Sequence, residues 1–253
     1  MSKVWIIAKK DLKSYFTSPI GYIVIAAFMC IMGLMFFSIL KFFYEHGAQF
    51  EQYNGKGMNI SNEINRSMFG NMNLILLFLT PFITMRLFAE ERKMHTLELL
   101  MTSPLKLSEI ILGKFLSSFF FVLIMLAMTS IYPLVVFFTG SPDWGPLLTG
   151  YVGTFLLCCC YLSIGLLYSS MTENQIVAGA LAFTTAIYFW LINWAAQSAG
   201  PILEKFLNFL SLLEHFKSFN QGIFNTADIL FYFSVIFLGL FLSYRVLDSY
   251  RWR

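Results

Sequence analysis

The sequence predicts an all-α polytopic membrane protein with six transmembrane helices and both termini in the cytoplasm. Three observations carry that expectation: the composition, the spacing of the apolar runs, and the placement of Lys and Arg. Of 253 residues, 58% are hydrophobic, 18% aromatic and only 12% charged, with a mean hydropathy of +0.69. A soluble domain carries about 25% charged residues, because a polar shell must cover its core. Here the apolar surface must face lipid instead. The net charge of +3 is small, and no nucleic-acid partner is expected from it.

A span needs about 20 apolar residues, since the hydrocarbon core is roughly 30 Å thick and a helix rises about 1.5 Å per residue. Six segments qualify: Ile20–Phe43, Met72–Phe88, Ile110–Phe138, Trp144–Tyr168, Ile176–Ala196 and Ile229–Val246. The second is short and interrupted by Pro81, with a start that reaches back toward Met68. The first is too long for a signal-peptide core and has no small-residue cleavage pattern after it, so it reads as a retained span. Placing both termini inside puts 12 basic residues in the cytoplasm and five outside. The acidic residues split seven to seven, so the asymmetry belongs to Lys and Arg, as the positive-inside rule requires.

Before the first span, residues 1–18 form an amphipathic segment. Val4, Trp5, Ala8, Leu12, Tyr15 and Phe16 fall on one side of a helical wheel. Lys3, Lys9, Lys10, Lys13 and Ser14 fall on the other, with Ile6 and Ile7 as exceptions. Such a helix lies in the interface with its lysines toward anionic lipid headgroups, or serves only as a basic topology anchor. Ser18-Pro19 ends it.

The cytoplasmic loop Ala89–Glu109 places Met94, Leu97, Leu100 and Met101 at helical spacing, and Pro104 closes the run. The spacing predicts one short helix with a single apolar face. It suits a groove on a soluble partner or simply rests on headgroups. On the outer side, Glu45–Asn71 is polar around Asn54-Gly55-Lys56-Gly57 and reads as a solvated connection open to an extracytoplasmic partner. Gln197–Asp228 is too apolar for a plain loop. Gly200-Pro201 and Gly222 break it, which predicts two short helices, Ile202–Leu210 and Leu212–Gln221, folded back as a lid. Phe206, Phe209, Leu213, His215, Phe216 and Phe219 are the candidate residues of this outer re-entrant segment, whose aromatic rings need burial.

The run Phe88-Ala89-Glu90-Glu91-Arg92-Lys93, then Thr96-Leu97-Glu98-Leu99-Leu100 and Ser103-Pro104, resembles the coupling-helix pattern of ABC-2-type permeases. His95 stands where that family often has Gly. A second run, Leu212-Leu213-Glu214-His215-Phe216-Lys217-Ser218-Phe219-Asn220-Gln221-Gly222 with Asp228, is similar to the end of the gliding-motility-associated and copper-processing permeases. With the opening Ile7–Pro19, the resemblance spans essentially the whole chain, as a single transmembrane domain of the type V ABC transporter kind. It implies a bacterial-type inner-membrane permease, an exporter by analogy, and a separate nucleotide-binding ATPase subunit that holds ATP and Mg. It assigns coupling to Glu90, Glu91, Arg92, Met94, Thr96, Leu97, Glu98, Leu100 and Met101. It also implies a second permease chain, identical or related.

No phosphate loop, G-x-x-x-x-G-K-[ST], is present, so no ATPase site of that kind is expected in this chain, and no cofactor, metal or catalytic constellation. His46, His95 and His215 lie far apart. Cys158, Cys159 and Cys160 point in three directions about 100° apart and read as core filler. Arg86 and Lys114 sit near cytoplasmic ends, where they can snorkel. Asn193 reads as a helix–helix hydrogen bond near an outer end. Ala178, Ala182 and Ala186 recur every four residues beside Gly179, a spacing that lets helices approach closely; they are candidates for packing between two chains, with packing inside one chain as the alternative. A non-transporting scaffold that docks a cytoplasmic protein through the same loop is the alternative function.

Overall fold

A computed structural model describes residues 3–54, 60–103, 105–140, 142–198 and 200–250. Pro104, Gly55, Lys56, Gly57, Arg251 and Arg253, which the sequence reading invoked, lie outside them. The described residues form twelve helices and no strand. These are α1 (Lys3–Thr17), α2 (Pro19–Asn54), α3 (Ile60–Thr84), α4 (Ala89–Lys93), α5 (Thr96–Thr102) and α6 (Leu107–Thr129). They continue as α7 (Ile131–Thr139), α8 (Trp144–Met171), α9 (Gln175–Gln197), α10 (Pro201–Leu210), α11 (Leu212–Asn220) and α12 (Thr226–Tyr250). Six segments are long and apolar enough to cross a membrane: Pro19–His46, Ser61–Lys93, Leu107–Phe138, Trp144–Met171, Gln175–Ala196 and Thr226–Tyr250.

α8 is the centre of the bundle. In its most apolar stretch 72% of residues are buried, against 17% in α12, and α3, α6, α9, α11 and α12 all pack on it. Glycine makes that crowding sterically feasible. A Cβ on Gly165 would overlap Thr84 of α3, and one on Gly150 would overlap the Phe69 ring. A Cβ on Gly153 would stand 2.6 Å from Phe219 Cβ, and Gly239 of α12 meets Ser163 of α8 in the same way, at 2.7 Å. Cys158, Cys159 and Cys160 are buried in this helix.

The structure corrects four expectations. The second span does not begin near Met68 or Met72, and its polar approach is not a solvated connection after residue 60. Ile64, Met68, Met72 and Ile75 recur on one face and are buried, so packing extends α3 back to Ile60 despite the polar residues between. Asn65 and Asn73 are buried with it, and their side-chain amides have no partner among the described residues. The third span is two helices that meet at Ser130. Pro133 has no N–H for the carbonyl four residues back, and Ser130 Oγ turns to Ala127 O at 2.7 Å.

The loop helix is likewise two pieces. His95, at φ 55°, occupies the left-handed region between α4 and α5. That is the position where the resembling family often carries Gly, the residue with no steric penalty there. The fourth correction concerns Ala178, Ala182 and Ala186, which are 0%, 4% and 2% exposed within this one chain. The small-residue face of α9 is consumed by its own α3 and α8, and Leu181, Tyr188, Leu191 and Trp194 are left on the exposed surface.

Candidate functional site

At the end of the bundle that the Lys/Arg distribution assigns to the cytoplasm, α1 packs along α6. Ile7 and Ala8 are its buried residues. Ile7, off the apolar side on the wheel, sits where a Cβ on Gly113 would fall, 2.7 Å away. Trp5 and Ile6 remain exposed beside Lys9, Lys10 and Lys13, so the helix presents apolar and cationic groups together outward, as an interface helix would. Tyr15 donates to Ile83 O at 2.9 Å. Burial pushes its phenol upward, and the nearby Asp11 charge adds to that.

Asp11 lies on the packed side of α1, three residues after Ala8, where a carboxylate requires a cation. Lys114 of α6 supplies it. Lys114 is only 3% exposed, and its Nζ reaches Asp11 Oδ2 at 3.2 Å and Glu91 Oε1 at 2.8 Å. The same ammonium stands 5.1 Å from the Phe88 ring centroid. One buried lysine therefore joins α1, α6 and α4. The snorkelling assigned to it from sequence was wrong, and the sign overlooked was an acidic residue on an apolar helix face.

The loop is pinned at its start as well. Ser169 Oγ of α8 accepts from the backbone N–H groups of Phe88 and Ala89 at 3.0 and 3.1 Å and donates to Met85 O at 3.2 Å. Arg92 donates to Ser170 O at 2.9 Å, pairs with Glu173 at 3.2 Å, and lies 4.1 Å above the Tyr250 ring. Thr96 Oγ1 donates to Glu91 O at 3.2 Å. Leu97 is buried and Leu100 and Met101 are half-buried against the core. Glu90, Met94, Glu98 and Leu99 are exposed, Leu99 by 71%. Met94 therefore does not share a face with Leu97, Leu100 and Met101. Glu91, Arg92, Thr96 and Leu97 hold the loop in place, while Met94, Glu98 and Leu99 stand outward. Leu99, which faces away from the apolar stripe, was absent from the sequence candidates.

At the opposite end, α10 and α11 match the two short helices expected there within a residue or so. Pro201 opens α10, Ser211 Oγ caps α11 by accepting from Glu214 N–H at 3.2 Å, and Gly222 at φ 87° ends it. Phe216 and Phe219 are buried, and Leu213 and His215 are half-buried. Phe206 and Phe209 are not buried: α10 has no buried residue, and its apolar face stands open. His215 Nδ1 lies 2.6 Å from Asp228 Oδ1, its Nε2 lies 3.1 Å from Phe209 O, and its ring stacks on Phe231 at 4.0 Å. Asn193 Nδ2 donates to Glu214 at 2.7 Å. Thr149 donates to Phe219 O at 2.7 Å and Arg66 to Asn220 O at 3.3 Å. α11 is thus tied to α3, α8, α9 and α12.

A family model described as ABC-2 family transporter protein matches residues 5–244. The chain is 27% identical over 163 residues to the probable multidrug ABC transporter permease YbhS of Escherichia coli strain K12. The same identity holds for that protein in Escherichia coli O157:H7. The match covers 63% of this chain and 43% of either relative, so the chain spans less than half the length of the curated proteins it matches. With a family match over nearly the whole chain and six helices able to span a bilayer, this multi-pass inner-membrane protein belongs to the ABC-2 family of transporters.

Proposed function

We propose that residues 1–253 act as one transmembrane domain, the permease subunit of an ATP-driven exporter. Two such chains would work with separate nucleotide-binding subunits that hold the ATP and Mg. One observation supports this above the rest: α4 is fastened to α1, α6, α8 and α12 by Lys114, Ser169 and Arg92, and α5 is held by Thr96 and buried Leu97, yet Met94, Glu98 and Leu99 stand outward. A loop merely resting on headgroups needs no such anchoring. A loop that receives a push does, because force passes only through contacts that do not slip. The run Leu212–Gly222 with Asp228 supports placement nearest the gliding-motility-associated and copper-processing permeases.

The test is copurification from membranes. Met94→Asp with Leu99→Asp leaves the fold intact and removes the ATPase subunit from the purified complex. Undiminished recovery of that subunit refutes the docking role. Leu97→Asp is no substitute, because it buries a charge and reports on folding instead.

A further inference from the structure

Beside the Lys114 junction lies a cleft of about 510 Å³, walled by α1, α2, α3, α4 and α6. Its apolar wall is Ile20, Val24, Phe82 and Ile83, and Phe82 and Ile20 are 59% and 40% exposed. Two charges in it are unused. Arg86 has no ion pair and no side-chain hydrogen bond among the described residues, and its Nε is buried without a partner. Glu90, at the rim, likewise has no ion pair there, whereas Asp11 and Glu91 are both engaged by Lys114. A half-buried arginine whose Nε–H is shut away from water without an acceptor is costly to hold, so the site is incomplete as the chain alone forms it.

From this we infer that the cleft is a binding site for one zwitterionic phospholipid headgroup of the phosphoethanolamine kind. Arg86 takes the phosphate, since a guanidinium matches phosphate oxygens geometrically. Glu90 takes the ammonium, and an acyl chain runs along Phe82, Val24 and Ile20. The depth follows from α1: the cleft is lined in part by this amphipathic helix, and such helices lie at the boundary between headgroups and hydrocarbon. So does the balance of charge, because Lys10, Arg86 and Lys114 face Asp11, Glu90 and Glu91, which favours a headgroup with both signs over an anionic one. The site needs no transport activity and does not depend on the function proposed above.

Native mass spectrometry of the purified protein, offered equal amounts of phosphatidylethanolamine and phosphatidylglycerol, tests it. One tightly held phosphatidylethanolamine per chain is expected, favoured about tenfold, which corresponds to roughly 1.4 kcal/mol. Arg86→Gln and Glu90→Gln should each reduce its occupancy severalfold. Glu90 is exposed, so the second variant keeps the test valid should the first fail to fold. Equal or greater retention of phosphatidylglycerol overturns the zwitterionic assignment. Displacement of the lipid by inorganic phosphate alone makes the cleft a free-anion site and overturns the lipid assignment. Unchanged occupancy in the variant proteins overturns the residues named.

Discussion

Replacing Lys114 with Met removes the buried ammonium that bridges two carboxylates whose side chains are 14% and 18% exposed. With the effective dielectric of about 20 that suits partly buried pairs, charges at 3.2 and 2.8 Å attract by roughly 5 and 6 kcal/mol. Desolvation of the ions offsets several kcal/mol of each, and removing one partner of a buried pair costs about 3–5 kcal/mol. At about 2–4 °C per kcal/mol for a chain of this size, the melting temperature of the solubilised protein should fall by roughly 6–20 °C. Asp11→Asn alone should cost less, because Glu91 still neutralises the lysine. The triple change Asp11→Asn, Glu91→Gln, Lys114→Met should recover most of the loss, since uncharged replacement of a buried ion group is often near neutral. Fluorescence-detected size-exclusion after graded heating measures all three. A Lys114→Met protein that melts with the wild type would refute the view that this lysine fastens α1 and α4 to α6.

At the α3–α8 crossing, Gly165→Ala should destabilise by about 1–3 kcal/mol through overpacking on Thr84. Gly145→Ala, with open space around it, should be neutral in the same melting assay. On the outer side, with Cys30 replaced by Ser, a cysteine at Phe206 should react with a lipid-soluble maleimide and resist an impermeant one. A cysteine at Phe216 should resist both, and rapid impermeant labelling at position 206 would mean that α10 faces water. His215→Ala leaves the Asp228 carboxylate, 5% exposed, without its hydrogen-bond partner. It should cost about 1–3 kcal/mol, read as a lower melting temperature.

Hydropathy made the six spans legible because a helix that crosses the hydrocarbon core is apolar along its length, whether it faces lipid like α12 or other helices like α8. The boundaries of α10 and α11 were legible for a different reason: Gly200-Pro201 and Gly222 act on the backbone locally. What stayed hidden were choices made by packing. The alanine stripe on α9 advertises close approach without saying to which helix, and the chain's own α3 and α8 take it. Met94 and Leu97 stand three residues apart, the spacing of one helical face, yet the αL turn at His95 breaks the helix between them and leaves Met94 outward. Residues 61–71 read as polar because their buried face is only one side of a helix. Asp11 and Lys114 are 103 residues apart, so the fold alone reveals that they meet.

The intimate contact of α3 with α8 also bears on how the protein is made. α3 carries Asn65 and Asn73 on buried positions, and it docks Phe69 and Thr84 onto glycines that lie beyond Trp144. About sixty residues of chain separate the end of α3 from the start of α8. A nascent chain therefore completes α3 well before the glycines that receive Phe69 and Thr84 exist. The order of synthesis thus makes α3 wait for its closest packing until α8 has followed it, a delay in assembly that the finished bundle no longer shows.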